Sequence, residues 1–209
     1  IHYVLYKSKK LDNLTFDFQI PLMSLPFIFQ TDLKNIPKKS QYLKVDQKLN
    51  NYWRLELKKY SKPKIGLIWS SSSSAQSAQY RSIDINNLLP IIYKKYNYFS
   101  IQKTISDKEN IFFEENNIIN FGQHNLNNIF AIINNLDLII SIDTLFVQMA
   151  GLLNIPTWVM LNLASDWKWI KNREDFPWYS SVRVFSQKEY NNWSHVIKKI
   201  QKELTYFFK

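Results

Sequence analysis

From residue 64 onward, short aliphatic and β-branched runs alternate with stretches of helical period, as a parallel sheet flanked by helices requires. KIGLIW (Lys64 to Trp69), YFSIQ (Tyr98 to Gln102), LDLIIS (Leu136 to Ser141), PTWVML (Pro156 to Leu161) and VRVF (Val182 to Phe185) predict strands, with a short further strand within Asn117 to Phe121. Between them, Asp84 to Tyr96, Leu126 to Asn135 and Leu145 to Leu153 predict helices. Each is entered through a capping side chain: Ser82 or Asp84, Asn125, and Asp143 or Thr144. Val196, Ile197, Ile200, Leu204 and Phe207 or Phe208 make Ser194 to Phe208 an amphipathic helix that docks on the core or on a partner domain. The expected fold class is α/β with a doubly wound parallel sheet.

The amino-terminal 60 residues follow a different pattern. Phe16 to Thr31 carries two prolines and IPKKSQYL adds a third, which predicts a compact irregular or helical connection rather than strands. Leu49, Trp53, Leu57 and Tyr60 form one helical stripe, predicting a linker helix into the first strand. The expected division is therefore 1–62, a tail and linker helix, and 63–209, the sheet domain. Too few strands precede residue 60 to close a second such domain, and the chain begins with Ile, so a fragment is expected.

Composition narrows the chemistry by exclusion. No cysteine is present, which removes disulfides, Cys-based zinc sites and thiol nucleophiles and fits a reducing compartment. His2, His124 and His195 lie too far apart for HExxH spacing. Gly66, Gly122 and Gly151 are too scattered to write GxGxxG or a P-loop anywhere. No run of 18 apolar residues exists, so no membrane span is predicted, and the amino end lacks the order of a signal peptide.

The net charge of +10 is carried by 23 Lys and only 4 Arg, beside 21 Asn. Base readout and bidentate phosphate clamping favour arginine, so no specific nucleic-acid partner is expected. Residues 1–64 hold 13 basic and 5 acidic side chains, a surplus of +8, against 14 and 12 in the remainder. Lys7, Lys9, Lys10, Lys34, Lys38 and Lys39 make this region the place for a polyanion or for peripheral membrane contact. The expected location is cytoplasmic, with the inner face of the membrane within reach of that surplus.

In an open parallel sheet, ligands collect beyond the carboxyl ends of the strands. After KIGLIW stand Ser70 to Ser74, whose small side chains let a ligand approach backbone amides; the run also reads as a mobile low-complexity loop. Arg81 either reaches a phosphate or pairs with Asp84. Gln102 and Lys103 end the second strand, and SIDT (Ser141 to Thr144) brings Asp143 and Thr144 to a helix amino terminus, where anions are favoured. Asp143 also reads as a helix cap alone. The cluster SDWKWIKNREDFPWY (Ser165 to Tyr179) sets Trp167, Trp169, Trp178 and Tyr179 beside Asp166, Arg173, Glu174 and Asp175. It reads as a loop packed on the core, with sugar stacking as the alternative. His124 reads as a surface histidine.

In order, KIGLIWSSSSS, RSI, SIQK, LDLIISIDT, MAGLLNIPTWVML and SDWKWIKNREDFPWYSSVRVF resemble the carboxyl-terminal half of bacterial GT-B glycosyltransferases found behind tetratricopeptide repeats. These are similar to the catalytic region of O-linked N-acetylglucosamine transferase and, more distantly, to lipopolysaccharide heptosyltransferases. FDFQIPLMSLPFIFQT resembles the segment by which that family leaves its amino-terminal half, and the likeness covers about residues 16 to 204. It implies a Rossmann-like domain that binds a nucleotide-diphosphate sugar in a cleft facing the missing amino-terminal half. It also implies inverting transfer to a protein, glycan or lipid-linked acceptor, with no metal or other cofactor. By motif position Ser70, Ser71, Arg81, Gln102, Lys103, Asp143, Thr144 and Leu145 line the diphosphate, and any general base comes from the other half. The chain departs from the pattern at Leu145, where the family has a small residue, and at Gln148, where it has histidine. Serine also replaces a glycine after the first strand, and Asn125, Asn128, Ile129 and Phe130 replace an acidic residue and a Thr-Ala pair. A catalytically inactive binding or scaffold module, its cleft occluded by Leu145 and Phe146, is the alternative reading.

Overall fold

A computed structural model describes residue 15 and residues 17–36, 43–71 and 78–209. The chain divides into two compact units, 1–36 and 37–209. In the first, a 3-10 turn (Leu22–Ser24) runs into α1 (Leu25–Ile28), with Pro26 in its first turn, where a missing N–H costs nothing. Phe18, Leu22, Met23, Phe27 and Phe29 are exposed. The Asp32 carboxylate accepts from the amides of Lys34 and Asn35 and closes the turn that follows.

The second unit is a six-stranded, wholly parallel sheet in the order β3-β2-β1-β4-β5-β6. Its strands are β1 (Lys64–Ile68), β2 (Asn97–Ser100), β3 (Ile118–Asn120), β4 (Leu138–Ile142), β5 (Thr157–Leu161) and β6 (Val182–Ser186). Every residue of β4 and β5 is buried, so these strands are continuous apolar runs rather than alternating ones. The predicted strands recur with ends shifted by up to two residues. The helices are α2 (Gln47–Leu57), α3 (Ala78–Arg81), α4 (Asp107–Asn116), α5 (Leu126–Ile133), α6 (Leu145–Leu152) and α7 (Ser194–Phe207).

Layers of apolar side chains cover both faces of the sheet. On one, Trp53 and Leu57 of α2 join Ile132 of α5, Ile139 of β4 and Ala150 of α6. On the other, Val196, Ile197, Ile200 and Leu204 of α7 pack with Leu88, Ile140 and Trp158. The linker-helix stripe thus packs on the sheet unit itself, and α7 docks on its core.

The short helix α3 was not expected, and two longer elements also differ from the expectation. The α-helix predicted over Asp84 to Tyr96 is instead a 3-10 helix (Ile85–Ile91), capped by Asp84 at the amide of Asn86. Pro90 has no N–H to donate and its ring crowds the preceding turn, so an α-helical ladder cannot pass through it. Helix α4 was not anticipated. Its capping box binds the Ser106 hydroxyl to the Glu109 amide while the Glu109 carboxylate accepts from the Ser106 amide. The second Glu109 oxygen accepts from Trp69 Nε1 at 2.5 Å, which ties α4 to the end of β1.

On the outer edge, Arg183 of β6 donates to Glu203 at 2.7 Å and to Glu174 at 3.1 Å, and Lys199 donates to Glu174 as well. The bond from Lys199, then that from Arg183, holds Glu174 below the ordinary glutamate range; Arg183 does the same for Glu203. A carboxylate whose folded pKa is depressed adds stability above its unfolded pKa and loses it as pH falls through the folded value. Thermal unfolding followed from about pH 7 to about pH 3 is therefore expected to show a steeper acid loss in the wild type than in Glu203→Gln. The difference is expected to be small, because both side chains are a third or more exposed or close to it. Parallel curves would remove the network from the account. Among the described residues no helix is long and apolar enough to cross a membrane.

Candidate functional site

The strand order reverses at the β1/β4 boundary, where the chain leaves β1 toward β2 and β3 on one side and toward β5 and β6 on the other. Neighbouring crossovers diverge there, leaving a crevice beyond the carboxyl ends of the strands. Trp69, 1% exposed, anchors the exit of β1, and its carbonyl accepts from the Ile83 amide at 2.8 Å, closing the loop that carries the serines. The Ser70 amide donates to Gln102 Oε1 at 3.2 Å, linking the ends of β1 and β2. The Ser71 amide donates to Ser82 Oγ at 3.0 Å, and that hydroxyl donates in turn to the Ala78 carbonyl. Ser82 therefore braces the loop rather than capping a helix.

Arg81, at the end of α3, spans the crevice. Nη2 donates to Ser71 Oγ at 3.1 Å and Nη1 to the Asp143 carbonyl at 3.3 Å, while Nε is buried without a partner among the described residues. The ion pair with Asp84 does not form, since Asp84 caps the 3-10 helix beside it. Across the reversal, Thr144 is the N-cap of α6, yet its side chain makes no capping bond; Thr144 Oγ1 lies 3.2 Å from Ser141 Oγ instead. The first amides of α6 thus have no side-chain acceptor, and the helix dipole concentrates partial positive charge at that point.

Asp143 is only 7% exposed, and its carboxylate meets Lys168 Nζ at 3.1 Å. Lys168 lies in a 3-10 turn (Trp167–Trp169) beyond β5, capped by Asp166. Trp169 is fully buried against Phe176, with ring centroids 4.2 Å apart, so it pins the turn. Nothing in the spacing of the sequence links residue 168 to residue 143. A basic residue between two tryptophans was the only hint.

The crevice thus brings together Ser70, Ser71, Arg81, Gln102, Asp143 and Thr144. Gln102 owes its position to Gly122, where an added Cβ would stand 1.7 Å from the Gln102 carbonyl oxygen. Lys103 is exposed beside it and is joined to the cluster by none of these bonds. Leu145 is 58% exposed, and Phe146 packs against the apolar layer under α5 rather than across the crevice.

In the tryptophan-rich loop, Arg173 pairs with Asp175, Glu174 joins the Arg183 network, and Trp178 and Tyr179 pack on the core; Trp167 is 73% exposed. His124 is exposed, with its ring edge-on to Trp53 at 4.8 Å. Ser72 to Ser74, Lys7, Lys9, Lys10, Lys38 and Lys39 lie outside the described residues. A hollow of about 550 Å³ lies at the opposite, amino-terminal edge of the sheet, lined by Arg54, Lys58, Asn134, Asn135 and the Lys64–Asp137 pair. Volume and chemistry therefore part company, and the crevice is the better candidate because its buried polar groups converge.

No protein family model matches the chain. Protein FlbA of Caulobacter vibrioides is 25% identical over 180 residues, which cover 82% of this chain and 30% of FlbA. Among solved structures, the E. coli ADP-heptose LPS heptosyltransferase II superposes over 79% of this chain and 52% of its own, at 16% identity and a TM-score of 0.52. The glycosyl transferase family 9 protein of Veillonella parvula covers 81% and 47%, at 11% identity and a TM-score of 0.55. E. coli heptosyltransferase WaaC with ADP covers 83% and 53%, at 9% identity and a TM-score of 0.56. The chain spans under a third of FlbA and about half of each of the three solved structures. At these identities the likeness is one of fold: the sheet unit has the Rossmann-like α/β architecture of glycosyltransferases.

Proposed function

We propose that this chain is the donor-binding half of a metal-independent glycosyltransferase that uses a nucleotide-diphosphate sugar. The observation that carries the reading is the Arg81 bridge between Ser71 and Asp143, set at the strand-order reversal beside the uncapped amides of α6. A diphosphate needs converging N–H donors and positive charge, and this point offers both. The fold shared with heptosyltransferases, one of them solved with ADP, agrees with such a ligand.

In the reaction, an acceptor hydroxyl attacks the anomeric carbon of the donor while the bond from that carbon to the diphosphate oxygen breaks. The hydroxyl proton goes to a base supplied by the other half of the enzyme. The charge that develops on the departing diphosphate is stabilised by the Arg81 guanidinium and the amides of Leu145 and Phe146. The acceptor is a protein, glycan or lipid-linked hydroxyl, and the remaining half is the other partner.

Calorimetric titration with uridine, guanosine and adenosine diphosphates tests the reading. One of them is expected to bind saturably, and Arg81→Ala is expected to weaken it about 10- to 100-fold, the worth of a charge-assisted hydrogen bond. No saturable binding of any of the three would end it. A binding module without turnover is the second reading, favoured by Gln148, which cannot carry a proton as the histidine of the resembling family does. It expects the same diphosphate affinity with no release of sugar from the donor.

A further inference from the structure

A carboxylate is an unwelcome neighbour for a diphosphate, yet Asp143 stands at the heart of the crevice, 7% exposed, at the amino terminus of α6. Left alone it would satisfy the positive helix end and cancel Arg81. The ammonium of Lys168 at 3.1 Å reverses that balance: Arg81, Asp143 and Lys168 together carry a net charge of +1. Lys168 is delivered by a turn whose next residue, Trp169, is locked in the core. Ile170, which follows, has φ 47 and ψ 110, a conformation that a β-branched residue adopts only under constraint. The packing of Trp169 on Phe176 thus anchors the turn from which Lys168 reaches Asp143. The Lys168 side chain is one-third exposed. Nζ has donors to spare beyond the one facing Asp143.

We infer that Lys168 is a diphosphate-binding residue of the donor site and that Asp143 acts through it, as a positioning carboxylate rather than as a group that contacts the donor. This inference rests on the donor-site reading above. It assigns to a residue far along the chain the cationic role that motif position gives to Lys103, and it makes the turn after β5 a wall of the site. The ammonium carries its charge to the phosphate oxygens as a compact point, complementing the planar fork of Arg81 on the other side.

Calorimetry on the 209-residue chain, with the diphosphate that the wild type binds and with the matching nucleoside, tests the assignment. Lys168→Ala is expected to weaken the diphosphate about tenfold or more and to leave the nucleoside unchanged. Lys168→Arg is expected to recover part of the loss. Asp143→Asn is expected to weaken the diphosphate as well, and the double variant Asp143→Asn/Lys168→Ala to bind as weakly as Lys168→Ala alone, because the carboxylate has then lost the group it positions. If Lys168 only neutralised Asp143, the double variant would regain affinity, which would overturn the assignment. So would unchanged diphosphate binding in Lys168→Ala, or equal losses for nucleoside and diphosphate. Lys168→Met, which keeps the length of the side chain, serves if alanine unsettles the turn. A wild type that binds no diphosphate removes the donor-site reading and this inference together, whereas a wild type that binds and a Lys168→Ala variant that binds equally well removes the inference alone.

Discussion

Trp169→Ala is expected to lower the unfolding free energy by about 3–5 kcal/mol, the range for deleting a fully buried indole from a packed core. Trp169 is 1% exposed, and it stacks on Phe176 within the cluster that also holds Val159, Val182 and Val184. The cavity would open beneath β5 and β6, whose rigid backbones limit how far the gap can close. The same substitution releases the turn that carries Lys168, so diphosphate affinity is expected to fall along with stability. Trp169→Phe separates the two effects. Trp169 Nε1 is buried without a partner among the described residues, so phenylalanine removes an unsatisfied donor while filling most of the space. It is expected to lose less than half as much stability as the alanine variant and to keep the turn in place. Denaturant unfolding of both variants checks the order; an alanine variant within about 1 kcal/mol of wild type would mean that the turn is not anchored here.

Gly122→Ala is the second large effect. The smallest possible side chain there would put its Cβ 1.7 Å from the Gln102 carbonyl oxygen and 2.5 Å from the carbonyl carbon. These are backbone atoms at the end of β2, with no rotamer that moves them aside, so relief requires displacing either the loop after β3 or the strand end itself. A cost of about 3 kcal/mol, at the upper end for overpacking, is expected. Because Gln102 Oε1 accepts from the Ser70 amide, the shift is expected to reach the serine loop and to weaken diphosphate binding as well. Native-state hydrogen exchange at Ser70 and Gln102 is the direct readout. Unchanged protection with unchanged stability would show that the two loops are not in the contact drawn here.

The two substitutions illustrate how differently the parts of this protein could be read from its residues. The β-strands were legible because their burial on both faces leaves continuous runs such as LDLIIS and PTWVML, which no surface helix tolerates. Asn125 was legible as a cap because its oxygen meets the Asn128 amide within a single turn, a relation that spacing encodes. Helix α4 carried a readable signal in Ser106 and Glu109, but its apolar residues do not fall on one face, which hid it. Pro90 was in plain view and should have excluded an α-helix over Asp84 to Tyr96.

The crevice itself is of a different kind. That the strand ends after β1, β2 and β4 would supply Ser70, Gln102 and Asp143 follows from the alternation of elements alone, since parallel crossovers put every such end on one edge. Which of those residues touch depends on strand order, and strand order is a long-range choice that local patterning does not encode. Only the folded sheet sets β4 beside β1, brings Arg81 to the Asp143 carbonyl and leaves Lys103 outside the cluster. The Asp143–Lys168 pair lies further still from local reading, because it is made by two turns on different crossovers whose approach is decided by how Trp169 packs beneath them. Hydrophobic period and capping chemistry act over a few residues and settle the elements; the meeting of charges across the crevice is settled by packing, which acts over the whole domain.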